Sequence, residues 1–147
     1  MNPATMSGLE LLRASAEGKL PRASISETMG LIAMEVEEGH VVIHARADAR
    51  HLNPLGGVHG GFAATVLDSV TGCAVHSQLP AGVAYGTVDL NVKMLRPVPK
   101  DSDLVAEARV THLSNSLGVA EGSLRDGAGN LLASASATCF IKRPRDA

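Results

Sequence analysis

The chain has 147 residues, 45% hydrophobic and 19% charged, which is enough to bury the core of one domain. A net charge of -2 and an aromatic content of 2% disfavour a nucleic-acid partner, because such partners need basic surface and stacking side chains. No apolar run approaches the ~20 residues of a membrane span, and no signal-peptide pattern is present. We therefore expect a cytoplasmic protein without a membrane partner, formed by a single domain over residues 1–147.

The N-terminal part has a helix-start signal. Ser7-Gly8-Leu9-Glu10 has the S-x-x-E form of a capping box and predicts a short helix, which Gly18 and Pro21 end. A linker through Thr28 follows. Residues 1–27 are expected to form an N-terminal extension, residues 28–142 the core and residues 143–147 a short basic tail.

From Gly30 the hydrophobic period changes to two, which predicts a hairpin with one buried face and a turn at Glu38-Gly39. The residues expected on the buried face are Ile32, Met34, Val36, Val41, Ile43, Ala45 and Ala47.

We expect no metal centre. His40 and His44 share one strand face, where a metal pair is an alternative to a solvated surface, and the solvated surface is favoured. Cys73 and Cys139 have neither metal spacing nor a disulfide framework, so they are interpreted as buried free thiols.

Residues 51–78 contain the chain's most informative pattern. A loop with Asn53-Pro54 and Gly56-Gly57 leads into a helix of about five turns that begins near His59 or Gly60 and ends near Gln78. Asp68 is the one formally charged residue between positions 51 and 88. One broad arc of the helix is apolar and comprises Phe62, Ala63, Val66, Leu67, Val70, Cys73 and Ala74. Asp68 lies outside that arc, among the small or short residues Ala64, Thr65, Thr71, Gly72 and Val75.

In the remainder of the chain, the hydrophobic pattern predicts strands over residues 87–94, 104–112, 117–125 and 131–142. In the first of these, Val88, Leu90, Val92 and Met94 are expected on the face opposite Thr87, Asp89, Asn91 and Lys93. The pattern predicts an α+β architecture of about six mostly antiparallel strands that wrap around one long apolar helix. That arrangement resembles the hotdog fold.

Two features of this helix can support chemistry. His59-Gly60-Gly61 lies at its start, where free backbone N–H groups can hold a developing oxyanion, although a tight packing turn is the alternative. Asp68 can act as a general base or nucleophile, and a structural anchor for Thr65 or a neighbouring backbone group is its alternative.

Gly60 and Asp68 cannot serve one substrate from the same chain. They are eight residues apart, so roughly 12 Å of helix axis separates them. If both act on one thioester, they come from different subunits, which predicts a homodimer with two composite sites.

The combination of Asn53, His59-Gly60-Gly61, Asp68 and the segment Thr87-Val88-Asp89-Leu90-Asn91 resembles the PaaI-like, phenylacetate-degradation type of hotdog acyl-CoA thioesterase. The resemblance covers roughly residues 28–142. Residues 123–126 and 143–145 also resemble the related 4-hydroxybenzoyl-CoA thioesterases. Some of those enzymes carry a glutamate on the helix, where this chain has Asp68.

The resemblance implies hydrolysis of a short-chain or aromatic acyl-CoA to free acid and coenzyme A, by a homodimer that assembles to a tetramer. It implies no cofactor, because coenzyme A is part of the substrate, and no metal. Asp68 is then the nucleophile or the base that activates water, and the Gly60 N–H, with Gly61, polarises the carbonyl. Asn53 and His59 help to orient the carbonyl, the water or the loop, and Thr87 lies near the attacking water. The alternatives are that Asn53 is a turn residue before Pro54, that His59 only shapes the turn, and that Thr87 is an ordinary strand residue.

Substrate contacts are expected from two further groups. Val58 and Phe62, with Leu67 and residues 79–85, are expected in the pocket wall. Arg96 and Arg143 are selected as contacts of the coenzyme A phosphates. They come from the basic set Lys93, Arg96, Lys100, Lys142, Arg143 and Arg145, for which a solvated edge is the alternative.

The sequence leaves two alternatives to thioester hydrolysis. A non-catalytic hotdog module that binds acyl-CoA is the main alternative, and Asp68 argues against it. A hotdog dehydratase would need His59 and Asp68 together, which their spacing on one helix does not allow.

Overall fold

The structure, a computed structural model, describes residues 1–145 and contains one antiparallel sheet of six strands and a long central helix. Residues 146–147 of the predicted tail lie outside the described residues. The helices are α1 (Gly8–Ala16), α2 (Ser24–Thr28) and α3 (Gly60–His76). The strands are β1 (Leu31–Glu37), β2 (His40–Ala45), β3 (Ala84–Met94), β4 (Leu104–Leu113), β5 (Leu117–Asp126) and β6 (Leu131–Lys142). Their order in the sheet is β1-β2-β4-β5-β6-β3, so β1 and β3 are the two edges.

The concave side of the sheet packs on α3, which contacts β2, β3, β4, β5 and β6. Two glycines of β5 allow a close approach: a Cβ on Gly118 would lie 2.6 Å from Val75 Cγ1, and one on Gly122 would lie 3.1 Å from Thr71 Cγ2. The predicted hotdog fold, a curved sheet around one long helix with a short N-terminal helix, is confirmed.

The helix α3 is buried more completely than its sequence predicts. The apolar arc is buried apart from half-buried Cys73, but Thr71, Gly72 and Val75 are buried as well. These small residues fit under β5 and Tyr85 of β3. Thr71 and Val75 therefore pack against protein, whereas Gly72 also lines the cavity that contains Asp68.

The capping box at the start of α1 is present, because Ser7 Oγ accepts from the Glu10 N–H at 3.2 Å and Glu10 Oε1 accepts from the Ser7 N–H at 3.1 Å. The Gly8 N–H donates to the Leu79 carbonyl at 2.9 Å. A Cβ on Gly8 would lie 1.8 Å from the His76 carbonyl oxygen, so only glycine allows this contact. The start of α1 is thus docked on the end of α3. The segment after it, expected to be a linker, contains the five-residue helix α2.

Irregular register makes two strand predictions wrong. In β1 the register shifts between Leu31 and Ala33, so Leu31 is 6% exposed and Ile32 is 55% exposed. In β3 it shifts between Thr87 and Asp89, and Val88 is 65% exposed rather than buried with Leu90. An inserted residue turns every side chain on one side of the bulge to the opposite face.

The outer face of the hairpin carries the two histidines in separate ion pairs. His40 Nε2 lies 2.7 Å from Glu107 Oε1, and His44 Nε2 lies 2.9 Å from Glu35 Oε2. Within residues 1–145, no group of three histidine, cysteine, aspartate or glutamate side chains is placed to hold a metal ion. Both cysteines are free, with Cys139 buried and Cys73 half-buried. No helix in the described part of the chain has the length and hydropathy that a membrane crossing requires.

Candidate active site

Asp68 and Thr87 form a hydrogen-bonded pair between α3 and β3. Thr87 Oγ1 donates to Asp68 Oδ1 at 2.8 Å. The bulge at Val88 is what allows this bond, since it places Thr87 on the same inward face as half-buried Leu90. Asp68 Oδ2 accepts no hydrogen bond from residues 1–145, so it can accept one from another molecule.

The pair lines a cavity of about 360 Å³, which we name the Asp68 cleft. Asp68, Cys73, Tyr85 and Thr87 form one side of the cleft, and residues of α1, α2 and β1 form the other. The cleft therefore occupies the gap between the two edge strands, on the side of α3 that the sheet leaves uncovered.

Two other ionisable side chains, Cys73 and Tyr85, lie on this side of the cleft, and both are neutral at neutral pH. Burial raises the pKa of the Cys73 thiol to about 12, and the Asp68 carboxylate acts in the same direction. Burial also raises the pKa of the Tyr85 hydroxyl, with smaller contributions from Cys73, Cys139 and Asp68. Neither group is a base or an anionic nucleophile at neutral pH, which leaves the Asp68 carboxylate for that role.

At the start of α3, His59 is the N-cap, and its Nδ1 accepts from the Gly61 N–H at 2.7 Å. A Cβ on Gly61 would lie 2.9 Å from that nitrogen, so the imidazole occupies the space that a side chain would need. The Gly60 N–H donates to no acceptor in the described chain. Of the two predicted oxyanion donors, Gly60 is therefore free, and Gly61 is used by the cap.

Gly60 lies in a second cavity of about 310 Å³, which we name the Gly60 pocket. Val58, His59, Met94 and Arg96 also line it. A Cβ on Gly60 would lie 2.8 Å from Met94 Sδ, so the methionine side chain lies directly over the helix start. Val58 and Arg96, both predicted substrate contacts, are thus neighbours of the helix N-terminus.

Asn53 shapes the loop before α3. Its Oδ1 accepts from the Leu55 N–H at 3.0 Å and from the Gly57 N–H at 3.1 Å, and its own N–H donates to the Gly57 carbonyl at 2.7 Å. These bonds are those of a turn residue, which was the alternative reading of Asn53. A contact of Asn53 with substrate stays a prediction.

Of the remaining predicted substrate contacts, Phe62, Leu67 and Arg143 lie apart from both cavities. Phe62 is 1% exposed and packs in the core, with its ring centroid 5.1 Å from that of His51. Leu67 is also fully buried. Arg143 is exposed at the end of β6, and its Nε donates to the Asn115 carbonyl at 2.9 Å. Of residues 79–85, Tyr85 lines the Asp68 cleft, whereas Leu79 is buried.

The two cavities share no lining residue. Asp68 and Thr87 belong to one of them, and Val58, His59 and Gly60 belong to the other. This separation agrees with the helix geometry, by which one chain does not bring Gly60 to Asp68. Within one chain, His59 and Asp68 likewise line different cavities and do not meet.

The comparisons with known proteins identify the family. The thioesterase superfamily matches residues 55–133, which is more than half of the chain and includes Gly60, Asp68 and Thr87. The chain belongs to this superfamily. At the level of the superfamily, the prediction of a thioester hydrolase is confirmed.

Two sequence relatives are named as an esterase and a thioesterase. Acyl-coenzyme A thioesterase 13 of Homo sapiens is 25% identical over 135 residues, which cover 90% of this chain and 93% of that protein. A Halobacterium salinarum protein with an esterase name is 49% identical over 71 residues, which cover 47% of this chain. The match spans 46% of that protein, so the chain corresponds to about half of its length.

Solved structures show the same fold. A phenylacetic acid degradation-related protein of Ralstonia eutropha JMP134 has a TM-score of 0.80 and 29% identity, over 88% of this chain and 98% of the other. A thioesterase protein of Streptococcus pneumoniae TIGR4, solved with coenzyme A, has a TM-score of 0.68 and 25% identity, over 77% and 88%. The PaaI protein of E. coli shares the fold, with a TM-score of 0.75 and 22% identity over 91% and 95%. The predicted PaaI-like resemblance is confirmed.

Proposed function

We propose that the protein hydrolyses the thioester of a short-chain or aromatic acyl-CoA to the free acid and coenzyme A. The observation that carries this proposal is the Asp68–Thr87 hydrogen bond in the wall of a cleft between the sheet edges. Membership of the thioesterase superfamily supports the reaction type. Two comparisons support coenzyme A as the thiol portion of the substrate: the human relative named acyl-coenzyme A thioesterase and the S. pneumoniae structure with coenzyme A.

Asp68 supplies the carboxylate for the attack. In one route Asp68 Oδ2 takes a proton from water, and the water oxygen bonds to the thioester carbon. In the other route the carboxylate itself attacks, and water then hydrolyses the anhydride. Both routes end with the C–S bond broken and a proton on the coenzyme A sulfur. Thr87 holds Oδ1 and so fixes the direction of Oδ2.

The carbonyl oxygen needs a donor when it becomes an oxyanion, and the free Gly60 N–H is suited to that role. Because Gly60 and Asp68 line different cavities, we propose that the donor comes from a second copy of the chain. The functional unit is then a homodimer with two composite sites, which can assemble further to a tetramer. In this arrangement Arg96, beside Gly60, and Arg143 are the candidates to meet coenzyme A phosphates.

The test is a free-thiol assay on acetyl-, phenylacetyl- and octanoyl-CoA with wild type, Asp68→Asn and Asp89→Asn. We expect Asp68→Asn to lower kcat by about 10² to 10⁴, because the amide cannot accept a proton. Asp89→Asn is the matched control, since Asp89 is an exposed carboxylate on the same strand as Thr87. Equal thiol release from wild type and Asp68→Asn would show that the carboxylate has no chemical role.

The same assay addresses the non-catalytic alternative. If wild type releases no thiol from any substrate while calorimetry shows that coenzyme A binds, the protein is a binding module.

A further inference from the structure

The N-terminal segment builds one wall of the Asp68 cleft. Its contribution comes from α1, α2 and the residues between them, and includes Leu12, Ser15, Arg22, Ile25 and Ser26. The family match begins at residue 55, so this wall lies outside the part of the chain that the superfamily describes.

Hydrogen bonds to other elements fix the wall to the rest of the fold. The Gly8 N–H donates to the Leu79 carbonyl at 2.9 Å, and Arg13 Nε donates to the Val36 carbonyl at 3.2 Å. Arg22 Nη2 donates to the Leu31 carbonyl. These bonds attach α1 to the end of α3 and attach the segment before α2 to the edge strand β1.

The cleft is suited to an apolar group. Among the described residues that line it, only Asp68 and Arg22 carry a formal charge, and the Arg22 guanidinium already binds the Leu31 carbonyl. Ile25 of α2 is 44% exposed and Ile32 of β1 is 55% exposed, so apolar surface of both elements is uncovered at the cleft. A bound apolar group would remove this surface from water, which is favourable.

The cleft has room for more than an acetyl group. A protein cavity of about 150 Å³ holds benzene. The Asp68 cleft, at about 360 Å³, can thus hold an aromatic acyl group or a chain of several carbons. The reacting carbon would lie at Asp68, and the remainder of the acyl group would extend toward α1 and α2.

We infer that the N-terminal segment is the specificity wall of the acyl site and sets the largest apolar acyl group that the protein hydrolyses. This inference rests on the proposed thioesterase function. The occupant of the cleft is the acyl portion of the substrate, because the wall faces the Asp68–Thr87 pair across the same cavity.

The experiment compares two substitutions in one short helix. Ser26 is half-buried and lines the cleft, whereas Ser24 is exposed and lies outside it. In Ser26→Phe, we expect the ratio of kcat/KM for octanoyl-CoA to that for acetyl-CoA to fall at least about tenfold, because the ring fills the cavity. In Ser24→Phe the ratio should stay at its wild-type value. Thermal unfolding checks that both variants fold.

A second variant removes wall surface instead of adding it. Ile25→Ala should raise the KM for octanoyl-CoA by about fivefold while acetyl-CoA changes less, because partly exposed methyl and methylene groups are lost from the wall. Because this side chain is not fully buried, the variant should fold even if Ser26→Phe does not.

The outcomes separate the inference from the function on which it rests. If wild type hydrolyses both substrates and the lining variants keep its selectivity, the inference is overturned and the thioesterase function stands. If Ser26→Phe alters the molecular mass in light scattering and Ser24→Phe does not, the cleft is covered by a second copy, and the inference is again overturned. If wild type hydrolyses no thioester, the proposed function itself fails.

Discussion

The Asp68 cleft and the Gly60 pocket lie along the same helix but are built from different groups. The cleft presents side chains, a carboxylate held by a threonine hydroxyl, in a gap between strands β1 and β3. The pocket presents backbone, a free N–H at the first residue of α3, which the His59 cap leaves unused. The carboxylate of the cleft can therefore be removed by an ordinary side-chain substitution, whereas the N–H of the pocket is removed only by a change in the main chain.

After loss of the Asp68 carboxylate, the largest effect is expected from removing the Gly60 N–H. Gly60→Pro removes this donor at the first helical position, where proline is well tolerated. His59 has φ -64° and ψ 138°, which suits a residue before proline. We expect kcat to fall by about 10² to 10³ in the thiol assay, as for loss of one oxyanion donor. Gly60→Ala is the control, because it retains the N–H and makes the same new contact with Met94. Equal loss in both variants would assign the effect to Met94 instead.

Mixing two inactive variants tests whether the cavities work in pairs. Unfolded Asp68→Asn and Gly60→Pro chains are refolded together and assayed. If each site joins Asp68 of one chain to Gly60 of another, a hybrid dimer has one intact site. Random pairing then restores about a quarter of wild-type activity. No recovery above the separately refolded variants, in samples that contain hybrid dimers, would mean that both groups act within one chain or do not act together.

A smaller effect is expected on the cleft side. Thr87→Val removes the hydroxyl that orients Asp68 and should lower kcat by about tenfold, since the net value of such a bond to a charged group is modest. Thr87→Ser keeps the hydroxyl and should retain most of the activity. If the valine variant is as active as wild type, the hydroxyl of Thr87 has no role in positioning Asp68.

The smallest effect is expected from replacing His59, the N-cap residue of α3. His59→Ala should reduce the free energy of unfolding in urea by about 1 kcal/mol, because the Gly61 N–H loses its acceptor. His59→Asn supplies another capping oxygen and should restore that stability. If thiol release follows stability across the three proteins, the imidazole serves the helix; if the asparagine variant is stable but inactive, the imidazole also serves the chemistry.

The presence of two different sites along α3 could largely be predicted from local sequence patterns. The lone charge at Asp68, the glycine pair at positions 60–61 and the 3.6-residue period define α3 and its two candidate functional positions. The distance between those positions follows from helix geometry alone. The capping box at Ser7 also identified the start of α1 correctly.

Other features depend on contacts that a local pattern does not contain. The bulge at Val88 arises from the register of β3 on β6, and it places Thr87 instead of Val88 on the same face as Leu90. Phe62 fits the pattern of a pocket wall, but its position is decided by packing against His51 from the preceding loop. The wall from α1 and α2 is joined to the cleft through the long-range bonds of Gly8, Arg13 and Arg22.

The composition of the chain gives the cleft an internal optical reporter. The protein contains no tryptophan and one tyrosine, and that tyrosine is Tyr85 in the wall of the Asp68 cleft. Its ring lies 4.8 Å from the ring of His76. Tyrosine emission from the native chain therefore arises from one known position. Binding of a non-absorbing acyl analogue can be titrated by fluorescence without a label or an added fluorophore.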